Sequence, residues 1–345
     1  MQTLTPDFDD AKLGRYLEAH IDGFQGPLTS KKFSGGQSNP TFLLSAASGK
    51  YVLRRKPPGT LLASAHAVDR EYRVMKALQG SAVPVATPHV LCEDPDIIGS
   101  MFYVMGFAEG RIFWDPALPD LPQDGRKPIH MELVRIMAAL HDIDVDAVGL
   151  SDFGKRGDYF ARQFARWEKQ YRASVTGDIP AMDELASLLA GNLPADDGQV
   201  SLVHGDFRID NVIFHPTGPD ALALIDWELS TLGHPMADLS YFCMGLRLPD
   251  LGSVIGMAGK DRRALGVPQE TELVAQYCAL RGIAPPGDWN IYLAFAFFRL
   301  AAIAQGVYKR AIDGNASNKK ALAIGAKVTP LAEMGLKAAH ETSPF

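Results

Sequence analysis

The chain has 345 residues, 47% of them apolar, with a formal net charge of −6. That length accommodates two lobes with a substantial core. The acidic balance excludes the basic footprint of a general nucleic-acid binder. The three cysteines, Cys92, Cys243 and Cys278, are widely separated and lack metal-site spacing. No disulfide framework is therefore expected, and a reducing, cytoplasmic setting is.

The first residues, Met1 to Ala11, are polar and acidic, without the apolar stretch of a secretory signal. A short amphipathic helix is predicted from Phe8 to His20. Strands follow at Leu28–Ser34, Thr41–Ala46 and Tyr51–Arg55, with turn signals at Gly35-Gly36 and Ser48-Gly49. Interleaved charged and apolar residues predict a helix over Ser64–Gln79, stopped by Gly80. Two more strands are expected at His89–Cys92 and Met101–Met105. Residues Phe107 to Pro128, rich in proline and glycine, read as irregular. Helices are then predicted at Ile129–His141, Asp158–Ser174 and Ile179–Gly191. A small β-region comes next, at Gln199–Val203, Val212–Phe214 and Ala223–Ile225. The remainder reads as helical: Pro235–Met244, Glu270–Arg281, Trp289–Ala311 and Ala321–Lys337. The most apolar stretch, Ile291 to Ile303, is broken by Arg299 and too short to span a bilayer, so it is expected to be a buried helix and no membrane association is foreseen. A β-rich piece thus precedes a helical piece with a small β-insert, which is not the alternating rhythm of a doubly wound fold.

The most specific stretch is 203-VHGDFRIDNVIF-214 followed by 224-LIDWE-228. Asp206 and Asn211 are five apart, the spacing of Asp and Asn in the H-R-D-L-x-x-x-N loop of protein kinases. Asp226 closes the apolar run Ala221–Ile225, where the metal-binding Asp of a D-F-G motif belongs. Phosphoryl transfer depends on positioning and charge neutralisation more than on covalent help. One carboxylate, Asp206, would accept or orient the attacking hydroxyl. A second, Asp226, placed on the strand paired with that of Asn211, would hold Mg²⁺ with the Asn211 oxygen, since Mg²⁺ keeps several waters and needs few protein carboxylates. Any one of these residues alone reads as an ordinary turn former; the combination in order, flanked by two β-runs, does not.

H-G-D-x-x-x-x-N followed by I-D-W resembles the signature of the aminoglycoside phosphotransferase and choline kinase group. The wider set 35-GGQSN-39, 51-YVLRRKPPG-59, 204-HGDFRIDN-211, 226-DWE-228 and 298-FRLAAIAQGVYKR-310 is similar to the phosphotransferases related to the kinase domain fused to some acyl-CoA dehydrogenases. The resemblance runs from about Phe33 to Arg310. It implies an α+β, two-lobed protein-kinase-like fold: a β-rich nucleotide-binding lobe over residues 1–106, and a helical lobe over 107–345 with the catalytic loop and acceptor site. It also implies transfer of the γ-phosphoryl group of ATP, with Mg²⁺, to a hydroxyl of a small molecule.

Other positions take roles within that frame. Gly35, Gly36, Gln37, Ser38 and Asn39 would form the loop over the phosphates, where backbone N–H groups approach oxygens closely; it lacks the G-x-G-x-x-G pattern. By pattern, Arg54 stands where V-A-I-K carries its lysine, as relatives often have it. Lys56, on the same face by alternation, is the alternative. Glu71 is the expected helix partner of that cation. The segment 101-MFYVMGF-107 resembles an inter-lobe hinge, with adenine bonding near Met105 and Phe107, or else a plain core strand. Asp238 looks like a buried brace for the catalytic loop and His204 a packed residue of the same kind. His141, at a helix end where a donor suits the terminal carbonyls, receives no chemical role. Glu228 either supports a second metal or is simply exposed.

The end of the chain shows no acidic cluster of the sort a polycationic aminoglycoside needs. Arg299, beside aromatics, instead suits a substrate with an apolar portion and an anionic group, such as a hydroxy acid or hydroxyacyl thioester; an internal ion pair is the competing reading. A nucleotide-binding pseudo-kinase and an antibiotic-modifying kinase are the alternative functions. A protein kinase is disfavoured, because no activation segment follows Glu228.

Overall fold

The computed structural model describes residues 8–33, 39–57, 67–252, 255–314 and 321–345. In chain order the elements are α1 (Asp10–His20), β1 (Thr29–Lys32), β2 (Thr41–Ala46), β3 (Gly49–Arg55), α2 (Val68–Leu78), β4 (Pro88–Cys92), β5 (Phe102–Gly106), α3 (Gln123–His141), α4 (Tyr159–Ser174), α5 (Pro180–Asn192), β6 (Ser201–Val203), β7 (Val212–Phe214), β8 (Ala221–Leu224), β9 (Thr231–Gly233), α6 (Met236–Arg247), α7 (Arg262–Leu265), α8 (Glu270–Arg281), α9 (Trp289–Ile312), α10 (Ala321–Ile324) and α11 (Val328–His340). The architecture is α+β, with a β-sheet N-terminal region and a helical C-terminal region, as the element order predicted.

Two compact units result. The first contains residues up to 113 together with 146–150 and 210–230; the second contains 114–145, 151–209 and 231–345.

The first unit is built on an antiparallel five-stranded sheet in the order β1-β2-β3-β5-β4. Alternation along β2 buries Phe42 and Leu44, which lie opposite Leu53 and Tyr51 of β3. These join Leu13 and Leu17 of α1 and Phe102 and Val104 of β5 in one core. Asp9 caps α1 by accepting from the amides of Ala11 and Lys12. The β2–β3 turn falls at Ala47-Ser48, one residue earlier than predicted, and Gly49 opens β3 at φ 140°. Helix α2 buries Val68, Glu71, Val74, Met75 and Leu78, a single stripe at helical spacing with one carboxylate in its middle. The β7–β8 hairpin completes this unit, pairing Val212 with Leu224.

The second unit is helical around α9, against which α4, α5, α6, α10 and α11 pack. By length and composition α9 is apolar enough to cross a membrane, but 72% of that apolar window is buried inside the protein, as a core helix requires. Strands β6 and β9 pair as a short antiparallel ribbon, Ser201 opposite Gly233 and Val203 opposite Thr231. β9 was not predicted. Helix α3 begins at Gln123 and runs through Pro128, where the sequence suggested a boundary. Pro128 lies in the second turn, where its missing N–H forgoes the bond to the Asp124 carbonyl, yet the helix continues through it. The predicted last helix is divided into α10, a 3₁₀ turn and α11.

Candidate active site

In the first unit, one cation stands among three carboxylates. Arg54 Nε lies 3.0 Å from Glu71 Oε2, and its Nη2 lies 2.6 Å from Asp226 Oδ1 and 3.6 Å from Glu228 Oε2. The Arg54–Glu71 pair expected from the sequence is therefore formed. Lys56, the alternative, sits instead 3.6 Å from Asp69. Glu71 is 1% exposed, and receives hydrogen bonds from Asn39 Nδ2 at 2.9 Å and the Tyr103 hydroxyl at 3.2 Å. Burial raises the Glu71 pKa to about 7 against the opposing pull of Arg54, with Asp226 and Glu228 adding to the rise. Burial also works against the Arg54 charge, but Glu71, Asp226 and Glu228 together hold its pKa above the ordinary arginine value.

Asn39, predicted in the phosphate loop, thus gives its side-chain amide to Glu71 and is itself buried. Gly35, Gly36, Gln37 and Ser38 lie outside the described residues. Met105 is the penultimate residue of β5, in register with Val52 and Pro88. Phe107 follows, with the Lys50 ammonium 5.4 Å from its ring centroid.

The β7–β8 pairing brings two more predicted residues side by side. Asn211 ends a 3₁₀ turn leading into β7, and its carbonyl accepts from Ile225 N at 2.9 Å. Asp226 comes next. It was predicted on the strand; it lies just beyond it, in the left-handed region at φ 69° and ψ 61°. Few non-glycine residues occupy that region, and aspartate is among those enriched there. The conformation turns Asp226 out of the hairpin toward Arg54. The next residue, Trp227, is buried and anchors the turn through Nε1 to Leu224 O at 3.1 Å.

The second unit carries the loop with Asp206. It leaves β6 through His204, then Gly205 at φ 83°, a value that favours glycine. Asp238, near the start of α6 and 1% exposed, accepts from His204 N at 2.6 Å and Gly205 N at 2.8 Å. It is the buried brace the sequence suggested. His204 is fully buried and its Nδ1 accepts from Asp206 N at 3.3 Å.

His141 was missed. It is fully buried, its Nε2 3.2 Å from Asp238 Oδ2 and its Nδ1 2.7 Å from the Tyr277 hydroxyl, which accepts from Arg281 at 3.2 Å. Burial holds its pKa below the ordinary value, so it is a neutral bridge rather than a cation at a helix end. Burial works to raise the Asp238 pKa, but the hydrogen bonds it accepts, first from His141 and then from the Gly205 amide, keep it low. The chain Arg281, Tyr277, His141, Asp238 therefore ends on two loop amides. His141 is ordinary in sequence; its partners come from helices far along the chain.

Arg299 Nη2 donates to Gly205 O at 2.6 Å, and its guanidinium lies 5.1 Å from the Tyr241 ring centroid and 5.7 Å from that of Trp167. Among the described residues it has no carboxylate within ion-pair distance, so the internal ion pair is not what holds it. Asp206 is half-buried beside Tyr241, whose pKa is raised by burial and then by the Asp206 charge and hydrogen bond.

Residues 29–274 match the model of the phosphotransferase enzyme family. The chain belongs to that family. The phosphotransferase is 47% identical over 324 residues to acyl-CoA dehydrogenase family member 10 of Mus musculus, covering 92% of this chain and 30% of that protein. It is 43% identical over 340 residues to acyl-CoA dehydrogenase family member 11 of Rattus norvegicus, covering 97% of this chain and 44% of that one. The phosphotransferase spans less than half the length of these relatives. A crystallised protein of Ralstonia eutropha JMP134, provisionally named an aminoglycoside phosphotransferase, superposes with a TM-score of 0.90 at 47% identity, over 97% of this chain and 99% of that one. A thermostable mutant of aminoglycoside phosphotransferase APH(4)-Ia, in ternary complex with ADP and hygromycin B, matches at 16% identity and a TM-score of 0.61, over 96% of this chain and all of that one, and shares the fold. The resemblance read from the sequence motifs, and the kinase-like fold it implied, are borne out.

Proposed function

We propose that the phosphotransferase is an active kinase that moves the γ-phosphoryl group of ATP onto a hydroxyl of a small anionic metabolite, a hydroxy acid or hydroxyacyl thioester. The observation that carries this reading is the full polar set, Asp206, Asn211, Asp226, Arg54 and Glu71, with Arg54 between Glu71 and Asp226 and Asp206 on a loop braced by Asp238. It supports turnover over the pseudo-kinase alternative.

Three carboxylates around one arginine leave the first unit with surplus negative charge. A divalent cation fits that surplus, because Mg²⁺ needs one or two protein carboxylates and takes the rest from water and phosphate. Asp226 would hold it, a third of its side chain exposed, with Asn211 beside it. Bound there, Mg²⁺ would neutralise charge building on the transferred group. Arg54, positioned by Glu71, would face the phosphates, with Gly35 to Asn39 covering them and the Met105–Phe107 segment receiving the base. Asp206 would take the proton of the acceptor hydroxyl as the new O–P bond forms and the bond to the leaving diphosphate breaks. We assign the nucleotide to residues 1–106 and the acceptor to 107–345, with 210–230 supplying the metal ligands, and place the protein in the cytoplasm.

Two observations support an anionic acceptor. Apart from Arg299, which is engaged with the Gly205 carbonyl, the charges of Arg208 near Tyr241 and of Arg162 and Arg166 near Tyr159 make this part of the second unit cationic. Such an array repels a polycationic aminoglycoside and attracts a carboxylate. The named relatives also belong to proteins of acyl-CoA chemistry. The test is ADP release with Mg-ATP across hydroxy acids, hydroxyacyl-CoAs, amino alcohols and aminoglycosides, with Asp206→Ala as control. Turnover confined to the acids or thioesters and absent from the variant is expected. Turnover on aminoglycosides alone, or undiminished turnover by Asp206→Ala, refutes the proposal.

A further inference from the structure

The sequence points to Arg299 as a receptor for the acceptor's anionic group, but the geometry gives its guanidinium another task. Nη2 donates to the carbonyl of Gly205 at 2.6 Å, while the Gly205 amide donates to Asp238 at 2.8 Å and the Asp206 amide to His204 Nδ1 at 3.3 Å. Both ends of the peptide joining Gly205 to Asp206 are therefore held, its oxygen by Arg299 and its N–H by His204. A peptide is planar, so fixing its two ends fixes the plane from which the Asp206 Cα departs and leaves only rotations within Asp206 itself to aim the side chain. Gly205 needs such a hold. At φ 83°, without a side chain, it is the residue of the loop with the widest conformational choice.

Arg299 is itself fixed. Its guanidinium lies 5.1 Å from the Tyr241 ring centroid and 5.7 Å from that of Trp167. Aromatic faces attract a cation without consuming its N–H groups. Tyr241 also lies beside Asp206, whose charge acts on it. One arginine, seated on two rings, thus grips the backbone one residue before Asp206, and one of those rings, Tyr241, lies beside the carboxylate.

We propose that Arg299 is a positioning residue that sets the aim of Asp206 through the Gly205 carbonyl, and that it does not read the acceptor's charge. This rests on Asp206 being the catalytic carboxylate, so the experiment separates the two claims. Arg299→Met and Arg299→Lys are compared with wild type on a hydroxy acid that is turned over and on its neutral methyl ester, with ATP hydrolysis in the absence of acceptor as a third reaction. Asp206→Ala serves as reference. Hydrogen exchange of the peptide spanning residues 201–212 is followed alongside, and needs no acceptor.

In Arg299→Met, kcat is expected to fall about 100-fold for all three reactions, the scale of a 1 Å misplacement. KM for acid and ester should stay within about twofold of wild type, since binding groups are untouched. Arg299→Lys, which can still donate to the carbonyl, should recover part of kcat, and the 201–212 peptide should exchange faster in Met than in Lys. A rise in KM for the acid alone, with kcat and the ester kinetics unchanged, overturns the proposal and restores Arg299 as the anion receptor. Unaltered kcat, or unaltered exchange in Arg299→Met, also overturns it. Retained turnover in Asp206→Ala is a separate result, and would refute the catalytic assignment itself.

Discussion

Replacing Asp238 by alanine tests the idea that one buried carboxylate organises the catalytic loop. Asp238 is 1% exposed and holds three donors: His204 N at 2.6 Å, Gly205 N at 2.8 Å and His141 Nε2 at 3.2 Å. Alanine leaves both amides without their acceptor in a buried site. An unsatisfied buried donor costs about 1–3 kcal/mol. Two of them give a loss of about 4 kcal/mol, within the 3–5 kcal/mol typical of removing one member of a buried charged network. Chemical denaturation should show that loss, and hydrogen exchange should show the His204 and Gly205 amides deprotected. Asp238→Asn should lose less, because its oxygen can still accept from one amide while its NH₂ faces the other. A loss below about 1 kcal/mol for alanine, with protection unchanged, would mean the loop is held by other contacts and the argument fails.

Three further outcomes are expected. Asp226→Ala should abolish Mg²⁺-dependent nucleotide binding, whereas Asp206→Ala should leave it intact and remove only transfer; calorimetric titration of Mg-ATP separates the two, and equal effects would refute the division of roles. Arg54→Ala should raise the apparent nucleotide KM, since it strips the cation from among three carboxylates; an unchanged value would shift the role to Lys56. His130 is fully buried, its Nε2–H donating to Pro116 O at 2.8 Å, and burial lowers its pKa from 6.5 to about 4. A depressed histidine binds its proton less well folded than unfolded, so the stability it permits is complete above pH 6.5 and drains as pH falls toward 4. The loss should be about 2 kcal/mol at pH 5; His130→Gln should flatten that part of the pH–stability curve, and an unaltered curve would refute it.

The parts legible in the sequence are those whose signal is local. β2 shows its period-2 burial directly, and α8 begins and ends where its pattern does, with a Gln269–Glu272 capping box and Gly282 beyond. The Asp206, Asn211 and Asp226 spacing was legible because one short segment carries all three. What escaped depends on distant partners or on lengths too short for a period to register. β9 is three residues, Thr-Leu-Gly, and is a strand only because β6 lies beside it. Pro128 signals a break that the helix absorbs. The hairpin's pattern continues to Asp226, yet the backbone there turns left-handed, and nothing in Leu-Ile-Asp-Trp announces it. His141 acquires its role from Tyr277 and Asp238, and Arg299 from Gly205, across separations no local pattern spans. Glu71 did leave a trace: it is the carboxylate in the middle of an otherwise apolar stripe, and a charge there calls for a partner.

That partner also accounts for the departure from the V-A-I-K pattern. A lysine would offer one compact charge at the end of a flexible stem. The site asks for more, because Glu71 comes from α2 while Asp226 and Glu228 follow β8. Arg54 meets both sides at once, with Nε toward Glu71 and Nη2 toward Asp226 and Glu228. The Nε contact is close without being aligned as a hydrogen bond, whereas the Nη2 contact to Asp226 is a hydrogen bond. The guanidinium is therefore committed more directionally to Asp226, and Asn39 and Tyr103 supply the aligned donors on Glu71. Arg54→Lys is consequently not conservative here. A single ammonium must choose between the two sides, and the carboxylate it leaves is repelled by its neighbours. Mg-ATP affinity in Arg54→Lys should fall toward that of Arg54→Ala, and a lysine variant indistinguishable from wild type would show that charge alone, without the fork, is what this position supplies.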